Sequence, residues 1–445
     1  PNRMLRSFIL LGGLLGAGLL PSAAYAQIAN ANYDYNRVLS GSYYDRAETA
    51  EDNEEYFLRN RYPLVEGRWQ EGYDPISVRL GAFEARPTLS AAVFSTDNLF
   101  LDEQNKVEDT ALIVEPSVTV QSTWSTHKIG ADAIVRASEF SDTSSESATE
   151  GGARVFGVLD VDSNTALGGS VAHRVIREPR ASIGGVLGAA ERVELQKTGV
   201  EANAVISRNR IQIRPRLSFA ELDYSDVELN AGGFADQDFR DHEETRAAIR
   251  GDYAVNRDVA VVGEVEYVDR SYTANSVGTV NRDIDGVIVR GGANFELQQN
   301  VRGDVLIGYQ SYDSANPAVG TISGLAASAN LTWLPTRLTQ VSLLTSRSVE
   351  DAGAVDASGA IITRGGVRVV HEFKRNILGS AYGSFEERDF ESIALTEEQL
   401  GLGLGATWKV NDNVHLSANY DYTDRDSDIQ GFDENRLSLK LSLFP

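Results

Sequence analysis

Charged side chains recur at alternating positions within segments that are otherwise apolar. Arg364, Arg368 and Glu372 are spaced by four residues, and positions i, i+2 and i+4 of an extended strand share one face. Arginine and carboxylate side chains on such a face can pair across strands, or they can act on ions and polar solutes that touch the face. Because the signs are mixed, both interpretations stay open and no preferred ion is indicated. Taking the face opposite the apolar side chains in each segment gives the candidate set Asp132, Arg136, Glu201, Arg214, Arg216, Arg246, Arg250, Glu264, Glu266, Arg290, Glu296, Asp304, Arg364, Arg368 and Glu372.

Residues that could perform covalent chemistry lack the spacing that such chemistry needs. The chain has no cysteine, no G-x-S-x-G elbow and no phosphate-binding loop. Serine and aspartate are abundant, but mostly in loops and turns, where solvation is the ordinary reason. No metal-ligand spacing is found among the histidines, which are His127, His173, His242, His371 and His415. We therefore predict no catalytic site, no metal site and no cofactor.

The elements that must carry the charged face are alternating segments, of which the last is the clearest. The stretch from Arg436 to Pro445 reads RLSLKLSLFP and places leucines on one face and Ser438, Lys440 and Ser442 on the other. A face made only of leucine, beside Phe444, is typical of a strand with hydrocarbon on one side and polar surroundings on the other. We interpret the apolar face as lipid-facing and the charged face as pore-lining.

Similar segments recur from Val78 onward, separated in turn by short polar turns and longer acidic or Gly/Ser-rich loops. Eight short turns and nine long loops predict an all-β fold, an antiparallel up-and-down transmembrane β-barrel of about 18 strands (16–18). A β-sandwich in water would show the same alternation, but this pattern runs for about 365 residues without a linker. An even strand number places both termini on the short-turn, periplasmic side.

The amino terminus reads as a targeting segment followed by a region of different composition. Residues 1–26 combine a positive start, an apolar run and a small-residue site at Ala24-Tyr25-Ala26, which predicts a secretory signal peptide. Residues 27–77 are rich in tyrosine and acidic residues without a sustained strand period, so we predict a periplasmic amino-terminal extension. Three interpretations of this extension stay open, which are a solvated tail, a plug of the barrel and a docking segment for a periplasmic partner. Residues 78–445 are predicted to form the barrel.

Composition restricts the ligands and the compartment. The net charge of -23 opposes binding to nucleic acid or anionic lipid, because like charges repel. The absence of cysteine suits a chain that crosses an oxidising periplasm without disulfides. After the signal peptide, no apolar run approaches the ~20 residues that a spanning helix needs. We predict a location in the bacterial outer membrane.

Aromatic residues lie near both ends of the predicted strands, where the two rims of the barrel are expected. Trp124, Trp333 and Trp408 each fall on the apolar face of a strand, at a short turn or a few residues before one. Indole prefers the membrane interface, so these three residues are expected in the periplasmic aromatic girdle. The opposite girdle is expected among the tyrosines toward the other strand ends, Tyr224, Tyr267, Tyr309, Tyr420 and Tyr422.

The start of the barrel carries a family resemblance. Tyr73 to Phe100 reads YDPISVRLGAFEARPTLSAAVFSTDNLF, with a Tyr-Asp-Pro opening and an Arg-Leu-Gly-x-Phe step. With STWSTH at Ser122 to His127 and LTWLPTRLT at Leu331 to Thr339, it resembles a family of outer-membrane β-barrel porins of proteobacteria, porin type 2. The resemblance covers Tyr73 to Pro445 and implies a channel, and the exopolysaccharide or capsule contexts of some members imply an export role. One departure is Pro445 after Phe444, where a terminal aromatic residue is usual.

We therefore predict a porin-like channel for small solutes, or for export of polymer, across a bacterial outer membrane, since 16 to 18 strands enclose an aqueous channel unless it is plugged. Two alternatives are an exopolysaccharide secretion barrel that docks a periplasmic polysaccharide-export partner, and a plugged structural or adhesion barrel. The expected partners are outer-membrane lipid, lipopolysaccharide and the barrel assembly machinery. The sequence shows no signature of an oligomeric interface.

Overall fold

Eighteen long strands dominate the computed structural model, which confirms the strand number and the all-β class predicted from the alternating sequence. The structure describes residue 57 and residues 63–445, except 183–184, 187, 274–280, 299, 318–319, 351–358, 391–394 and 430. The strands are β1 (Phe83–Thr96), β2 (Asp109–Ser122), β3 (Lys128–Phe140), β4 (Ala148–Asp162), β5 (Thr165–Arg177), β6 (Glu194–Arg208), β7 (Ile211–Tyr224), β8 (His242–Ala254), β9 (Val259–Tyr272), β10 (Ile284–Leu297), β11 (Val301–Ser314), β12 (Thr321–Thr336), β13 (Thr339–Glu350), β14 (Ala360–Lys374), β15 (Ile377–Phe390), β16 (Leu395–Lys409), β17 (Val414–Ser427) and β18 (Phe432–Leu443).

The remaining regular elements are short and lie before the first long strand or in the long connections. They are the strands Val78–Leu80, Val227–Glu228 and Phe234–Ala235 and the 3-10 helices Ser144–Glu146 and Asp238–Arg240. None of the helices in the described part of the chain combines the length and the apolar character that crossing a bilayer requires. The predicted signal peptide, residues 1–26, lies outside the described residues, and so does most of the predicted extension.

Each long strand pairs antiparallel with the next one along the chain, and β18 returns to pair with β1. At this seam Leu443 lies opposite Leu89, and Arg436 lies opposite Thr96. The short strand Val78–Leu80 pairs with the start of β1, beyond the point where β18 ends. Closure removes the open sheet edges whose unpaired backbone groups a membrane does not tolerate.

The two faces of the wall differ as the alternation predicted. In β18, Leu437 and Leu439 are more than half exposed on the outside, whereas Ser438 between them is buried on the inside. In β11, Ile307 is 60% exposed while the neighbouring Leu306 is 1% exposed. The strands are 12 to 16 residues long, which exceeds the about 9–11 residues that cross a bilayer, so they continue beyond the hydrocarbon.

The inside of the barrel is not uniformly polar. A buried apolar cluster occupies the long-loop halves of β9–β14 and consists of Val268, Ile284, Ile288, Tyr312, Ile322, Ala326, Val349 and Ile361. A second one joins β6 and β7 to their loops through Ala189, Val193, Leu195, Leu222, Tyr224 and Val227. The second cluster fixes the β5–β6 and β7–β8 connections to the wall by burying apolar surface.

Two glycines allow β10 and β11 to approach closely beside a charged residue of the inner wall. A Cβ atom at Gly308 would overlap the carbonyl oxygen of Val289, and one at Gly292 would overlap that of Val305. Gly308 lies opposite Arg290 in the register. A larger residue at either position would push the two strands apart and move Arg290.

Candidate functional site

The charged candidates form the inner wall of the barrel. Nine of the fifteen predicted pore-lining residues are buried and the other six are partly buried, and each lies on the face opposite the exposed apolar side chains. Eleven of them contact an opposite charge, either on another strand or on the chain that precedes β1. The inner wall is therefore built from cross-strand ion pairs.

One network joins β7, β8 and β11. Asp252 accepts hydrogen bonds from Arg214 at 2.6 Å and from Arg250 at 3.0 Å. The Arg250 guanidinium also pairs with Asp304, which accepts a further hydrogen bond from Asn294 at 3.1 Å. Arg250 thus connects carboxylates on two different strands, which holds the middle of this wall in one arrangement.

A second network continues the wall through β8, β9 and β10. Arg246 donates to Glu244 at 2.6 Å and to Glu266 at 3.0 Å. Arg290 donates to Glu266 at 3.1 Å and pairs with Glu264. All five side chains are buried, and a buried charge is tolerated when it is paired in this way.

A third network links β13, β14, β15 and β16 on another part of the wall. Arg364 pairs with Glu350, and it donates to Glu386 with a distance of 2.6 Å. Arg388 pairs with Glu386 and donates to Glu397 at 3.1 Å. The carboxylate of Glu386 is shared between two guanidinium groups, so the four strands are tied together.

The remaining candidates are placed outside these networks. Asp132 accepts a hydrogen bond from Arg154 at 3.1 Å, and Glu201 accepts one from Asn203 at 3.1 Å. In the register Arg136 lies opposite Glu150, Arg216 opposite Asn203 and Glu296 opposite Arg302.

Arg368 and Glu372 pair with residues 63–77, which we call the mouth segment. Glu66 accepts a hydrogen bond from Arg368 at 2.6 Å, and Arg68 donates to Glu372 at 3.0 Å. Asp74 pairs with Lys409 at the end of β16. Three ion pairs thus fasten the described part of the extension to the inner wall.

Backbone contacts and burial give the path of the mouth segment. The amide of Val65 donates to Gln340 Oε1 at 3.0 Å, and the carbonyl of Tyr73 lies 2.7 Å from Nε2 of His415. Leu64 and Val65 are buried. The segment follows the inside of the short-turn rim from β1 round to β13, and it reaches into the lumen as far as Arg368. It therefore narrows the mouth of the barrel from one side.

The connection between β5 and β6 reaches the lumen from the other end. The carbonyl oxygen of Ala181 accepts a hydrogen bond from Arg388 on β15 at 2.9 Å, and it also accepts one from Arg425 on β17. In the closed order of eighteen strands, β15 lies eight or nine strands away from β5 and β6, and β17 lies six or seven strands away. The same connection is fixed at its start, where Glu178 accepts from Arg240 at 2.7 Å. We call its described residues, within 178–193, the crossing loop.

The acidic connection between β7 and β8 contains the group of side chains that most resembles a metal site in the described part of the chain. Carboxylate oxygens of Asp226, Asp236 and Asp238 lie within 4.8 Å of one another. All three side chains are exposed, and exposed acidic groups are common without a metal. Burial raises the pKa of the nearby Asp241 to about 6, although its carboxylate accepts a hydrogen bond from the amide of Tyr224 at 2.7 Å.

Comparison with known protein families agrees with the barrel fold. The family model described as Putative beta-barrel porin 2 matches residues 71–444. The chain belongs to this porin family. No curated protein matches this porin.

Solved porin structures resemble this porin at low identity. Pseudomonas aeruginosa OccK3 (OpdO) is 13% identical, with 81% of this chain and 96% of that chain covered and a TM-score of 0.43. P. aeruginosa OccK2 (OpdF) in complex with glucuronate is 12% identical, with 81% and 98% covered and a TM-score of 0.44. Acinetobacter baumannii OccAB3 is 12% identical, with 82% and 99% covered and a TM-score of 0.41.

Aromatic residues of the porin lie at both ends of the wall. Trp124, Trp333 and Trp408 are each close to half exposed on the outside near the short turns. Among the tyrosines near the other ends, Tyr267, Tyr309 and Tyr420 are exposed outward and Tyr422 is partly buried. The expectation for Tyr224 is wrong. Its side chain is 4% exposed and points inward, with the Arg240 guanidinium 3.9 Å from the ring centre.

Several charged residues that complete the networks of the porin lie outside the predicted set. They are Glu244, Asp252, Arg270, Glu350, Glu386 and Arg388. Strict alternation identifies the first three, since each lies an even number of residues from a candidate on its own strand. Glu350, Glu386 and Arg388 lie near strand ends, where the sequence alone does not separate strand from loop.

Proposed function

We propose that this outer-membrane porin is a passive channel for hydrophilic solutes and performs no covalent chemistry. The observation that supports the proposal best is the closed wall of eighteen strands, apolar outside and charged inside. A barrel of this size is too wide to be filled by its own wall side chains alone. By the same proposal the short turns and both termini face the periplasm, as they do in bacterial outer-membrane barrels.

Charge on the inner wall formed by β7–β11 is balanced within the wall. The connected networks of β7–β11 contain the five arginines Arg214, Arg246, Arg250, Arg270 and Arg290 and the five carboxylates Glu244, Asp252, Glu264, Glu266 and Asp304. Equal numbers of opposite charges at contact distance leave little net field at the centre of the lumen. Passage is therefore governed mainly by the mouth segment and the crossing loop, which narrow the channel from its two ends.

Planar-bilayer recording of the purified, folded full-length protein tests this function. We expect discrete conductance steps, and protein that inserts without conducting would contradict an open channel. The double variant Glu66→Gln with Arg68→Gln removes two of the ion pairs that fasten the mouth segment, so its conductance should rise above that of the wild type. Arg208→Gln is the matched control, because the Arg208 pair is long at 4.0 Å and exposed.

The mouth segment also bears on the proposal that the barrel exports a polysaccharide with a periplasmic partner. A segment that enters the mouth from the periplasmic side is placed where a docked partner would meet it. Deleting residues 27–72 should then abolish polymer export while the barrel still inserts. Unchanged export would exclude that role.

A further inference from the structure

Two cations face each other on the inner wall, close to the network of β8–β10. Arg174 on β5 and Lys197 on β6 lie directly opposite in the register, and both are partly exposed. Like charges directly opposite each other on a sheet destabilise the pairing. In the part of the chain that the structure describes, Lys197 forms no hydrogen bond and no ion pair. A local conflict of this kind is expected at functional positions.

The neighbouring charges increase the positive potential around Lys197. Arg246 and Arg270 act on it electrostatically together with Arg174, and the one opposing charge among these neighbours is Glu244. The Glu244 carboxylate already accepts hydrogen bonds from Arg246 at 2.6 Å and from Arg270 at 2.7 Å. It is therefore shared with two guanidinium groups and offsets only part of the positive charge around the ammonium group of Lys197.

Space and hydrogen-bonding groups lie beside this pair of cations. The next row of the register toward the short turns consists of Ala172, Gly199 and Ala220, all with small side chains. A Cβ atom at Gly199 would meet only the carbonyl oxygen of Phe219, at 3.6 Å, so the row is open. The row after that places Ser170, Glu201 and Ser218 side by side. Its hydroxyl and carboxylate groups can exchange hydrogen bonds with the hydroxyl groups of a solute.

We propose that Lys197 and Arg174 form a binding subsite for a small hydroxylated carboxylate that passes through the channel. Its carboxylate group accepts charge-assisted hydrogen bonds from the ammonium and guanidinium groups. Its hydroxyl groups lie over the row of small residues and meet Ser170 and Glu201. The proposal rests on the proposed channel function, and it adds the class of solute to that function.

Single-channel recording with sodium gluconate as the probe, and glucose as the neutral control, tests the subsite. We expect gluconate to reduce the wild-type current in a saturable way, while glucose at equal concentration does not. Lys197→Gln should raise the half-blocking gluconate concentration at least about tenfold, because the variant loses one charge-assisted hydrogen bond to the carboxylate. Lys197→Arg keeps the charge and should stay within about threefold. Lys374→Gln, at an exposed position near a short turn, should match the wild type.

The possible failures are distinguishable. A wild-type protein that does not conduct overturns the channel function, and with it the subsite. A wild-type current that gluconate does not block, or that glucose blocks equally, overturns the subsite alone. Equal changes of the half-blocking gluconate concentration in Lys197→Gln and Lys374→Gln would also overturn the subsite. The block would then depend on the total charge of the protein and not on a cation at position 197. If Lys197→Gln does not fold, Arg174→Gln carries the same expectation.

Discussion

Replacing Leu439 with arginine should destabilise the inserted barrel, because Leu439 lies near the middle of β18 on the lipid-facing side. It is 56% exposed and lies opposite Val93 on β1 and Ala418 on β17. The new guanidinium group would have to enter hydrocarbon close to the seam that closes the barrel. This perturbation tests the assignment of the two faces and the seam together.

The magnitude has two parts. An arginine on the lipid face near the midplane costs about 2–4 kcal/mol. Removing the leucine side chain costs roughly a further 1.5–3 kcal/mol, since both the protein-facing and the lipid-facing surface of Leu439 leave water when the barrel inserts. We therefore expect Leu439→Arg to lower the free energy of unfolding by about 3.5–7 kcal/mol. Leu439→Ala should lower it by about 1.5–3 kcal/mol.

Urea titration of the protein folded into phospholipid vesicles measures these differences. The matched control is Asn419→Arg, which follows Ala418 on β17 and lies at nearly the same depth on the inner face. An arginine there remains in the lumen, so we expect a change of no more than about 1 kcal/mol. Equal losses in the two arginine variants, or a larger loss in Asn419→Arg, would show that the faces are assigned wrongly.

Two further predictions concern the inner wall and the β7–β8 connection. Arg364→Ala leaves two buried carboxylates without their shared cation and should lower the free energy of unfolding by about 2–4 kcal/mol, whereas Arg208→Ala, in an exposed pair, should change it by less than about 1 kcal/mol. Equal losses would contradict the distinction between buried and exposed pairs. Burial raises the pKa of Asp241 to about 6, so the folded loop favours the neutral acid. The stability that Asp241 provides is therefore complete below its ordinary pKa, and it is lost as the pH rises through about 6. Proteolysis of this connection should therefore be faster at pH 7.5 than at pH 5, and a persistent difference in Asp241→Asn would rule out this carboxyl as its source.

The faces of the wall and its closure could be predicted because a strand has a period of two. Leu437 and Ser438 point to opposite sides whatever the strands beside them are, and the same holds for Arg364 within β14. Turn chemistry adds the strand boundaries near the short turns, where Asn209 takes a left-handed backbone conformation (φ 55) that asparagine tolerates. Local rules therefore give the strand number and the inner set of charges.

Partners across the lumen could not be predicted, because no local period encodes them. Alternation places Arg368 on the inner face, but its partner Glu66 lies 302 residues earlier, in a stretch without a strand period. The crossing loop is held through the backbone carbonyl of Ala181, an acceptor that every residue offers. Both constrictions depend on which residues of a loop reach the far wall, and sequence alone does not give that.

Two classes of charge on the inner wall should respond differently to substitution. Arginines such as Arg364 each pair with two buried carboxylates. Their removal should therefore lower the stability of the barrel more than it changes the passage of solutes. Lys197 has no such partner among the described residues and faces Arg174, so Lys197→Gln relieves repulsion in the wall and should not lower stability. If passage of carboxylates falls while stability is kept, the cation at this position serves the solute. If stability falls while the passage of carboxylates is unchanged, the cation supports only the wall.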